Sequence, residues 1–172
     1  PTDTQRNPAN NLTILSGELP GGNGARSDIL LRGRTVDSTS ITDGLIIKKA
    51  EGNNTNAMGA IYLVKNANPV FRNCIISDNK SNGQGAGLFI INSGNPKFVN
   101  SIFERNELTN IGEGGAVANI NSKPEFLNCI FRNNSNYIAG VTPSSGGAVY
   151  NLGSNGVFDG CTFLKNVANN WG

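Results

Sequence analysis

The sequence predicts an all-β fold, a single-stranded parallel β-helix with three short strands per coil and about five to six coils. Three observations lead to this prediction. A pattern of short apolar segments recurs from residue 59 onward, no helical periodicity separates these segments, and asparagine and glycine are spread along the whole chain. Asparagine and glycine favour turns, and frequent turns between short strands are typical of a solenoid.

The first strand of each coil follows a pair of small residues. It is found at Gly59-Ala60-Ile61-Tyr62, Ala86-Gly87-Leu88-Phe89, Gly115-Ala116-Val117-Ala118 and Gly147-Ala148-Val149-Tyr150. Side chains alternate between the two faces of a strand. The aliphatic residue that recurs in the third position is therefore predicted to point into the core of the coil.

The second strand of each coil centres on a phenylalanine. Phenylalanine recurs at positions 71, 98, 126 and 158, at intervals of 27, 28 and 32 residues. Two residues later the chain has Asn73, Asn100, Asn128 or Gly160. We expect Phe71, Phe98, Phe126 and Phe158 to stack inward at the strand spacing of roughly 4.8 Å.

The third strand begins with a small residue and ends before a recurring asparagine. The strands are Cys74-Ile75-Ile76, Ser101-Ile102-Phe103, Cys129-Ile130-Phe131 and Cys161-Thr162-Phe163, and the asparagines are Asn79, Asn106, Asn134 and Asn166. Because asparagine tolerates a left-handed backbone and its amide can bond to the coil above, we predict an asparagine ladder at this turn.

The three cysteines occupy the same inward slot of the third strand. We predict that Cys74, Cys129 and Cys161 are free, buried thiols, since a small and weakly polar residue fits between larger neighbours. A disulfide between Cys129 and Cys161 is the less favoured alternative, because Cβ atoms in register lie farther apart than the roughly 3.8 Å that a disulfide prefers.

The whole chain is predicted to be one domain, residues 1–172, with irregular N-terminal coils in 1–58 and four regular repeats in 59–172. Leu12 to Leu19 and Ile29 to Val36 resemble earlier strands, and Asp43–Ile46 aligns with Asn73–Ile76. The spacing varies mainly between the third strand and the next first strand. Insertions are therefore expected at one edge of the stack.

Composition excludes several functions. The chain has no histidine, which removes histidine-based catalysis and the usual zinc sites, so no catalytic, cofactor or metal residue is assigned. A net charge of +2 without a basic run gives no footprint for nucleic acid, and no segment approaches the length of a membrane-spanning helix. We expect neither a nucleic-acid partner nor membrane insertion.

The repeats resemble those of a known class of surface proteins. Gly114-Gly115-Ala116-Val117 and Gly146-Gly147-Ala148-Val149, paired with Phe103-Glu-Arg-Asn106 and Phe131-Arg-Asn-Asn134, look like the GGA(I/L/V) and FxxN repeats of chlamydial polymorphic outer-membrane proteins. They are also similar to β-helix repeats of secreted Bacteroidetes proteins. This resemblance implies a right-handed parallel β-helix in a protein that is secreted or on the bacterial cell surface.

The resemblance implies less about function. Repeats of this type serve as adhesins, surface-layer components and scaffolds, and a related branch contains polysaccharide lyases. The first two repeats also depart from the motif, with Met58-Gly-Ala-Ile and Gly85-Ala-Gly-Leu in place of the double glycine. We expect a structural or adhesive module that assembles with other copies or with further coils of a larger chain. The alternative is a carbohydrate-binding or polysaccharide-degrading protein.

Two sets of residues represent the alternative functions. Ionisable residues at the exit of the third strand are the best catalytic candidates, namely Asp78, Glu104, Arg105, Arg132 and Lys165, although mixed charges at a solvated turn are usually compatible neighbours. The outward positions of the first strand include Tyr62, Phe89 and Tyr150. These rings form a possible binding face for a glycan or a protein, unless loops shield them.

Assembly contacts are predicted in the longest insertion and at the end of the chain. The insertion contains Tyr137, Ile138, Val141 and Pro143, which are apolar for a solvated turn. The competing interpretation is that these residues fold back over their own coil. Asn170-Trp171-Gly172 stands where the next glycine-rich strand would begin. We expect a neighbouring subunit or further coils to follow there, with Trp171 in the contact, because unpaired strand edges recruit another chain.

Overall fold

The computed structural model describes residues 12–19, 24, 26–53, 58–137 and 144–169. These residues form a right-handed parallel β-solenoid and contain no helix. An initial strand, β1 (Thr13–Ser16), precedes the complete coils. Coil 1 consists of β2 (Leu31–Arg34), β3 (Ile41–Asp43), β4 (Leu45–Lys48) and β5 (Glu51–Gly52).

Coils 2 to 5 repeat the same four strands. Coil 2 consists of β6 (Ile61–Val64), β7 (Val70–Arg72), β8 (Ile75–Ser77) and β9 (Lys80–Ser81). Coil 3 consists of β10 (Leu88–Ile91), β11 (Lys97–Val99), β12 (Ile102–Glu104) and β13 (Glu107–Leu108). Coil 4 consists of β14 (Val117–Ile120), β15 (Glu125–Leu127), β16 (Ile130–Arg132) and β17 (Ser135–Asn136). Coil 5 consists of β18 (Val149–Leu152), β19 (Val157–Asp159), β20 (Thr162–Leu164) and β21 (Val167–Ala168).

Corresponding strands of successive coils pair in parallel and build four sheets. The first, second and fourth strands form sheets of five strands each, and the third strands form a sheet of six because β1 pairs with β4. The predicted five to six coils are therefore confirmed as five coils and one additional strand. The fourth strand of each coil was not predicted, because two residues are too short to show a period of two.

The core consists of stacked inward side chains, as the repeat predicts. Phe98 lies 5.0 Å from both Phe71 and Phe126, measured between ring centroids, and Phe126 lies 4.9 Å from Phe158. A second stack joins Phe103, Phe131 and Phe163, and its rings meet those of the first stack edge to face. The predicted inward orientation of the four phenylalanines is confirmed, and contacts of this geometry add to the stabilisation from burial.

The predicted alignment of coil 1 was wrong by one residue. Asp43 pairs with Arg72 and Ile46 pairs with Ile75, so Gly44 takes the place of Asn73. Gly44 and Asn73 both have a positive φ, 71° and 53°, and both form the turn between the second and third strands. The turn therefore sets the register, because glycine and asparagine adopt the left-handed backbone most readily.

Candidate functional site

The structure brings four of the five predicted ionisable residues together beside the sheet of third strands. The Arg105 guanidinium donates two hydrogen bonds to the Asp78 carboxylate, at 2.7 and 3.0 Å. It also lies 2.8 Å from a carboxylate oxygen of Glu104, whose other oxygen is 2.6 Å from Arg132. Lys165 lies at the same turn in coil 5, with a positive φ like that of Arg105.

These contacts pair the charges of coils 2, 3 and 4. The hydrogen bond from Arg105 lowers the pKa of Asp78 below its usual value, and the same bond raises the pKa of Arg105. Each of the two carboxylates, Asp78 and Glu104, already accepts hydrogen bonds from an arginine. The arrangement favours charge pairing between coils over proton transfer to a substrate, which requires a group whose pKa is near the working pH.

The predicted aromatic face is less exposed than a binding face would be. Tyr62 and Phe89 do lie on the outer side of the first strands and stack at 5.6 Å, but they are only 8% and 7% exposed. Ile29 and Met58 pack against this outer cluster, and the Arg32 guanidinium lies over the Tyr62 ring. The two rings are thus shielded, which is the alternative that the sequence analysis left open, and Ile29 and Met58 are among the residues packed against them.

The remaining predicted contact residues fall into two groups. Tyr150 is half-buried and Tyr137 is exposed. Ile138, Val141, Pro143 and Trp171 lie outside the described residues.

Within the described ranges there is no group of three or more acidic or cysteine side chains placed to hold a metal ion, and no helix long and apolar enough to cross a membrane.

The end of the stack at coil 5 exposes core-type residues. Phe163 continues the column of Phe103 and Phe131. Those two rings are 0% exposed, whereas Phe163 is 49% exposed. Further large apolar side chains are exposed in the same coil, namely Leu152, Val157, Leu164 and Val167. An open concavity of about 420 Å³ lies between Val149 and Phe163. We call this surface the coil-5 end.

The backbone of coil 5 also has a free strand edge. The four strands β18 to β21 are each the last in their sheet. The Thr162 amide donates to the Cys129 carbonyl of coil 4 at 2.9 Å. Because successive residues of a strand direct their amides to opposite sides, the Phe163 amide faces away from coil 4. Among the described residues, the coil-5 end therefore combines an apolar surface with strand edges on which no further strand is paired.

The comparisons with known proteins agree with this architecture. The model of the family described as right handed beta helix region matches residues 26–170. The chain belongs to this family. No curated protein and no solved structure matches the chain with significance.

Members of the right-handed β-helix family have columns of equivalent residues, and in this chain the asparagines form such a column. The Asn106 side chain accepts from the Asn79 side-chain amide at 2.9 Å and donates to Asn134 at 3.0 Å. Asn134 in turn donates to Asn166 at 2.9 Å. The side-chain oxygen of an asparagine in this column also accepts a hydrogen bond from the backbone amide of the equivalent residue in the preceding coil. The Asn134 backbone amide donates to the Asn166 side-chain oxygen in this way, at 3.0 Å. We call this column the asparagine stack.

Two further polar columns of this β-helix were missed by the sequence analysis. The backbone amide of Ser93 donates to the Ser122 hydroxyl at 2.9 Å, and that of Ser122 donates to the Ser154 hydroxyl at 3.1 Å. We call this column the serine stack. Each serine follows a first strand by two residues, so the repeat contained a signal for it.

The second missed column lies inside the coil. Asn119 points inward where coil 3 has Ile90, and its side-chain amide donates to Asn151 of coil 5 at 2.9 Å. The Asn119 side-chain oxygen is buried without a hydrogen-bond partner. Asn119 and Asn151 therefore place two polar side chains in a column that is aliphatic in coils 2 and 3, at Leu63 and Ile90.

The cysteines of this β-helix are free thiols, as predicted. Cys74 and Cys129 are buried, and Cys161 is half-buried. Burial raises the pKa of the Cys74 thiol, and it raises the pKa of Cys129 to about 11. The Cys129 and Cys161 sulfurs lie 3.5 and 3.3 Å from the Phe98 and Phe126 carbonyls. A raised pKa disfavours the reactive thiolate, which is consistent with a packing role.

Proposed function

We propose that this β-helix is a structural or adhesive module, secreted or on a bacterial cell surface, that assembles by stacking a further β coil on its coil-5 end. The observation that carries the proposal is the exposure of Phe163 in a column whose members in coils 1 to 4, Ile47, Ile76, Phe103 and Phe131, are fully buried. Burying such a ring stabilises an assembly by roughly 25 cal/mol for each Å² removed from water. Free parallel edges supply the hydrogen-bonding groups.

The cellular location rests on the repeat motif. The GGA(I/L/V) and FxxN motifs resemble those of chlamydial polymorphic outer-membrane proteins and of secreted Bacteroidetes proteins, which act outside the cytoplasm. Both motifs extend to coil 5, where Gly146-Gly147-Ala148-Val149 leads into β18 and Asn166 ends the FxxN motif. A coil of this type has the same columns on both sides, so it is suited to internal positions of a longer stack.

The ionisable residues beside the third strands and the aromatic rings of the first strands give less support to the alternative function, the binding or degradation of a polysaccharide. Asp78 and Glu104 are paired with arginines, and Tyr62 and Phe89 are covered. Binding or cleavage of a polysaccharide would require these groups to meet a ligand. We therefore place assembly ahead of glycan binding and degradation.

Sedimentation velocity over a range of concentrations tests the proposal. An isolated chain with an open coil-5 end should form larger species as its concentration rises. Phe163→Lys places a charge on that end and should reduce the association. Ile111→Lys is the matched control, because Ile111 is equally apolar and exposed but precedes coil 4. It should leave the association unchanged.

Hydrogen exchange on the same chain shows whether the coil-5 end is open in the monomer. The Phe158 and Phe163 amides, which face away from coil 4, should exchange rapidly in the monomer and slowly in the larger species. A chain that stays monomeric while these amides are protected would have a coil-5 end that is already covered, and the proposal would be wrong.

A further inference from the structure

Three cations without carboxylate partners lie where the first strands of coils 1 and 2 end. The strand β2 directs Arg32 and Arg34 outward on either side of the buried Gly33, and both arginines are exposed. Lys65 is also exposed, and it follows Val64, which pairs with Arg34. Among the described residues, none of the three cations forms an ion pair. We call Arg32, Arg34 and Lys65 the basic cluster.

The acidic residues near the basic cluster do not neutralise it. The Asp37 carboxylate accepts hydrogen bonds from the Thr39 backbone amide, at 2.9 Å, and from the Thr39 hydroxyl, at 2.6 Å. Asp28, which precedes β2, accepts the Ile29 backbone amide at 2.9 Å. Neither carboxylate is within ion-pair distance of the cluster. The cluster therefore presents its full charge to solvent.

The local backbone does not account for the lysine in this cluster. The residue that follows the first strand has a positive φ in all five coils, namely Thr35, Lys65, Asn92, Asn121 and Gly153. Glycine and asparagine adopt this backbone most readily. Charged residues at the turn after the third strand pair between coils, as Arg105 does with Asp78, but the neighbours of Lys65 in its column, Thr35 and Asn92, are uncharged. Neither the turn nor an ion pair explains Lys65, and such exceptions are typical of functional positions.

A polar groove continues along the same edge of the stack. It has a volume of about 300 Å³, and its lining includes Lys123, Asn95 and Asn155, together with Asn121 from the column of Lys65. The side chains of Lys123, Asn95 and Asn155 are exposed and form no hydrogen bond or ion pair within the described part of the chain. No carboxylate and no aromatic ring lines the groove. Amides bond well to hydroxyl groups, whereas nucleobases require rings on which to stack.

We propose that this edge binds a polysaccharide that carries sulfate or phosphate esters, with one ester at the basic cluster and the sugar chain in the groove. Arg32 and Arg34 are roughly 7 Å apart along β2, and Lys65 is roughly one strand spacing of 4.8 Å away, so their long side chains can meet at one ester. Such an ester has three free oxygens for the three cations, whereas a carboxylate has two.

This site goes beyond the proposed function, because it does not require stacking at the coil-5 end. It also differs from the aromatic face. The Tyr62 ring is covered, and it contributes by holding the Arg32 guanidinium, whose central carbon lies 5.3 Å from the ring centroid. A guanidinium held in this way loses less conformational freedom when it binds an oxyanion.

Fluorescence anisotropy of labelled polymers tests the proposal on the full chain. The probes are dextran sulfate, dextran phosphate, unmodified dextran, polygalacturonate and an oligothymidylate of similar length. The site variant combines Arg34→Gln with Lys65→Asn, and asparagine is the residue that coils 3 and 4 have at the Lys65 position. The matched control combines Lys48→Gln with Lys49→Asn. It removes the same charge at the turn after the third strand, where Lys49 also has a positive φ.

We expect dextran sulfate or dextran phosphate to bind, and the tighter of the two identifies the ester. The site variant should weaken this binding at least about tenfold, because it removes two charge-assisted contacts. The control should change it by less than about twofold, and added salt should weaken it in every variant because exposed charges are screened. Lys65→Asn alone should retain the stability of the fold and still weaken binding.

Four outcomes would overturn the inference. Equal losses in the site variant and the control would show that net charge, and not the basic cluster, attracts the polymer. Equal binding of polygalacturonate would show that the site does not select esters, and equal binding of the oligothymidylate would show that it does not select a sugar chain. Equal binding of unmodified dextran would remove the role of charge. None of these outcomes bears on stacking at the coil-5 end.

Discussion

At the scale of single residues, asparagine has two distinct roles that its chemistry explains. Asn73, Asn100 and Asn128 have positive φ angles and form turns, whereas Asn79, Asn106 and Asn134 of the asparagine stack are buried and bonded through their side chains. A buried amide is favourable only when its hydrogen bonds are made. Asn106 meets this condition and Asn119 meets it only in part.

The first prediction compares these two asparagines. Asn106→Ala removes the acceptor of the Asn79 amides and the donor to Asn134, so the free energy of unfolding should fall by roughly 2–4 kcal/mol. Asn119→Leu removes a buried oxygen that has no partner together with the hydrogen bond to the exposed Asn151, and the new side chain matches Ile90 beside it, so the free energy of unfolding should change by less than about 1 kcal/mol. Urea denaturation measures both. A large loss of stability in Asn119→Leu would contradict the prediction.

A second prediction concerns the phenylalanine columns. Phe126→Ala should lower the free energy of unfolding by roughly 3–5 kcal/mol, since the ring is fully buried and leaves a cavity. Phe163→Ala is the matched control, and it should cost less than half as much because the ring is 49% exposed at the coil-5 end. Comparable losses in the two variants would show that the coil-5 end is covered in solution.

At the scale of elements, turns set the register of the strands. The turn between the third and fourth strands has a residue with positive φ in every coil, Lys49, Asp78, Arg105, Asn133 and Lys165. Side chains that follow one another at this turn lie one strand spacing apart, so opposite charges can pair between coils. Asp78 and Arg105 pair in this way.

The third prediction follows from the lowered pKa of Asp78. The pairing of the Asp78 carboxylate should stabilise the fold fully above about 3.9, the pKa of an aspartate in the unfolded chain. This stabilisation should disappear as the pH falls through the lower pKa that Asp78 has in the folded chain. Both side chains are more than a third exposed, so the contribution should stay below about 1 kcal/mol. The difference between the native chain and Asp78→Asn in urea denaturation should therefore shrink below about pH 4. A difference that does not change with pH would contradict this prediction.

At the scale of the whole molecule, stability is a sum over neighbouring coils, so the end coils are the least stabilised. Burial shows this gradient, because the strands of coils 2 to 4 contain buried core residues whereas β20 is exposed throughout. An additional coil would stabilise coil 5 more than any other part of the described chain. Assembly and folding are thus linked at that end.

The fourth prediction is that the chain has no hydrolase or lyase activity of its own. The two carboxylates among the candidate catalytic residues, Asp78 and Glu104, are ion-paired with arginines. Incubation with acidic and neutral polysaccharides, followed by chromatography of the products, measures this. Product formation that is lost in both Arg105→Ala and Arg132→Ala would contradict the prediction and support the enzymatic alternative.

The candidate site was predictable only in part. The repeat identified coil 5 as an internal type of coil, because Phe158, Phe163 and Asn166 fit its columns. The inner Asn119 to Asn151 contact was not predicted, although both residues follow the aliphatic residue of their first strand by two positions, because they replace aliphatic residues of earlier coils. The covering of Tyr62 by Ile29 and Met58 likewise depends on segments outside the repeat.

The repeat, the order of the first three strands and the inward apolar columns of this β-helix can all be read from the sequence, because each depends on residues at constant offsets along the chain. The register of coil 1, the burial of Tyr62 and Phe89, and the charge pairing at Asp78 are visible in the folded chain alone. These features depend on contacts between coils about 30 residues apart. Their energies come from burial and hydrogen-bond geometry, which no local pattern contains.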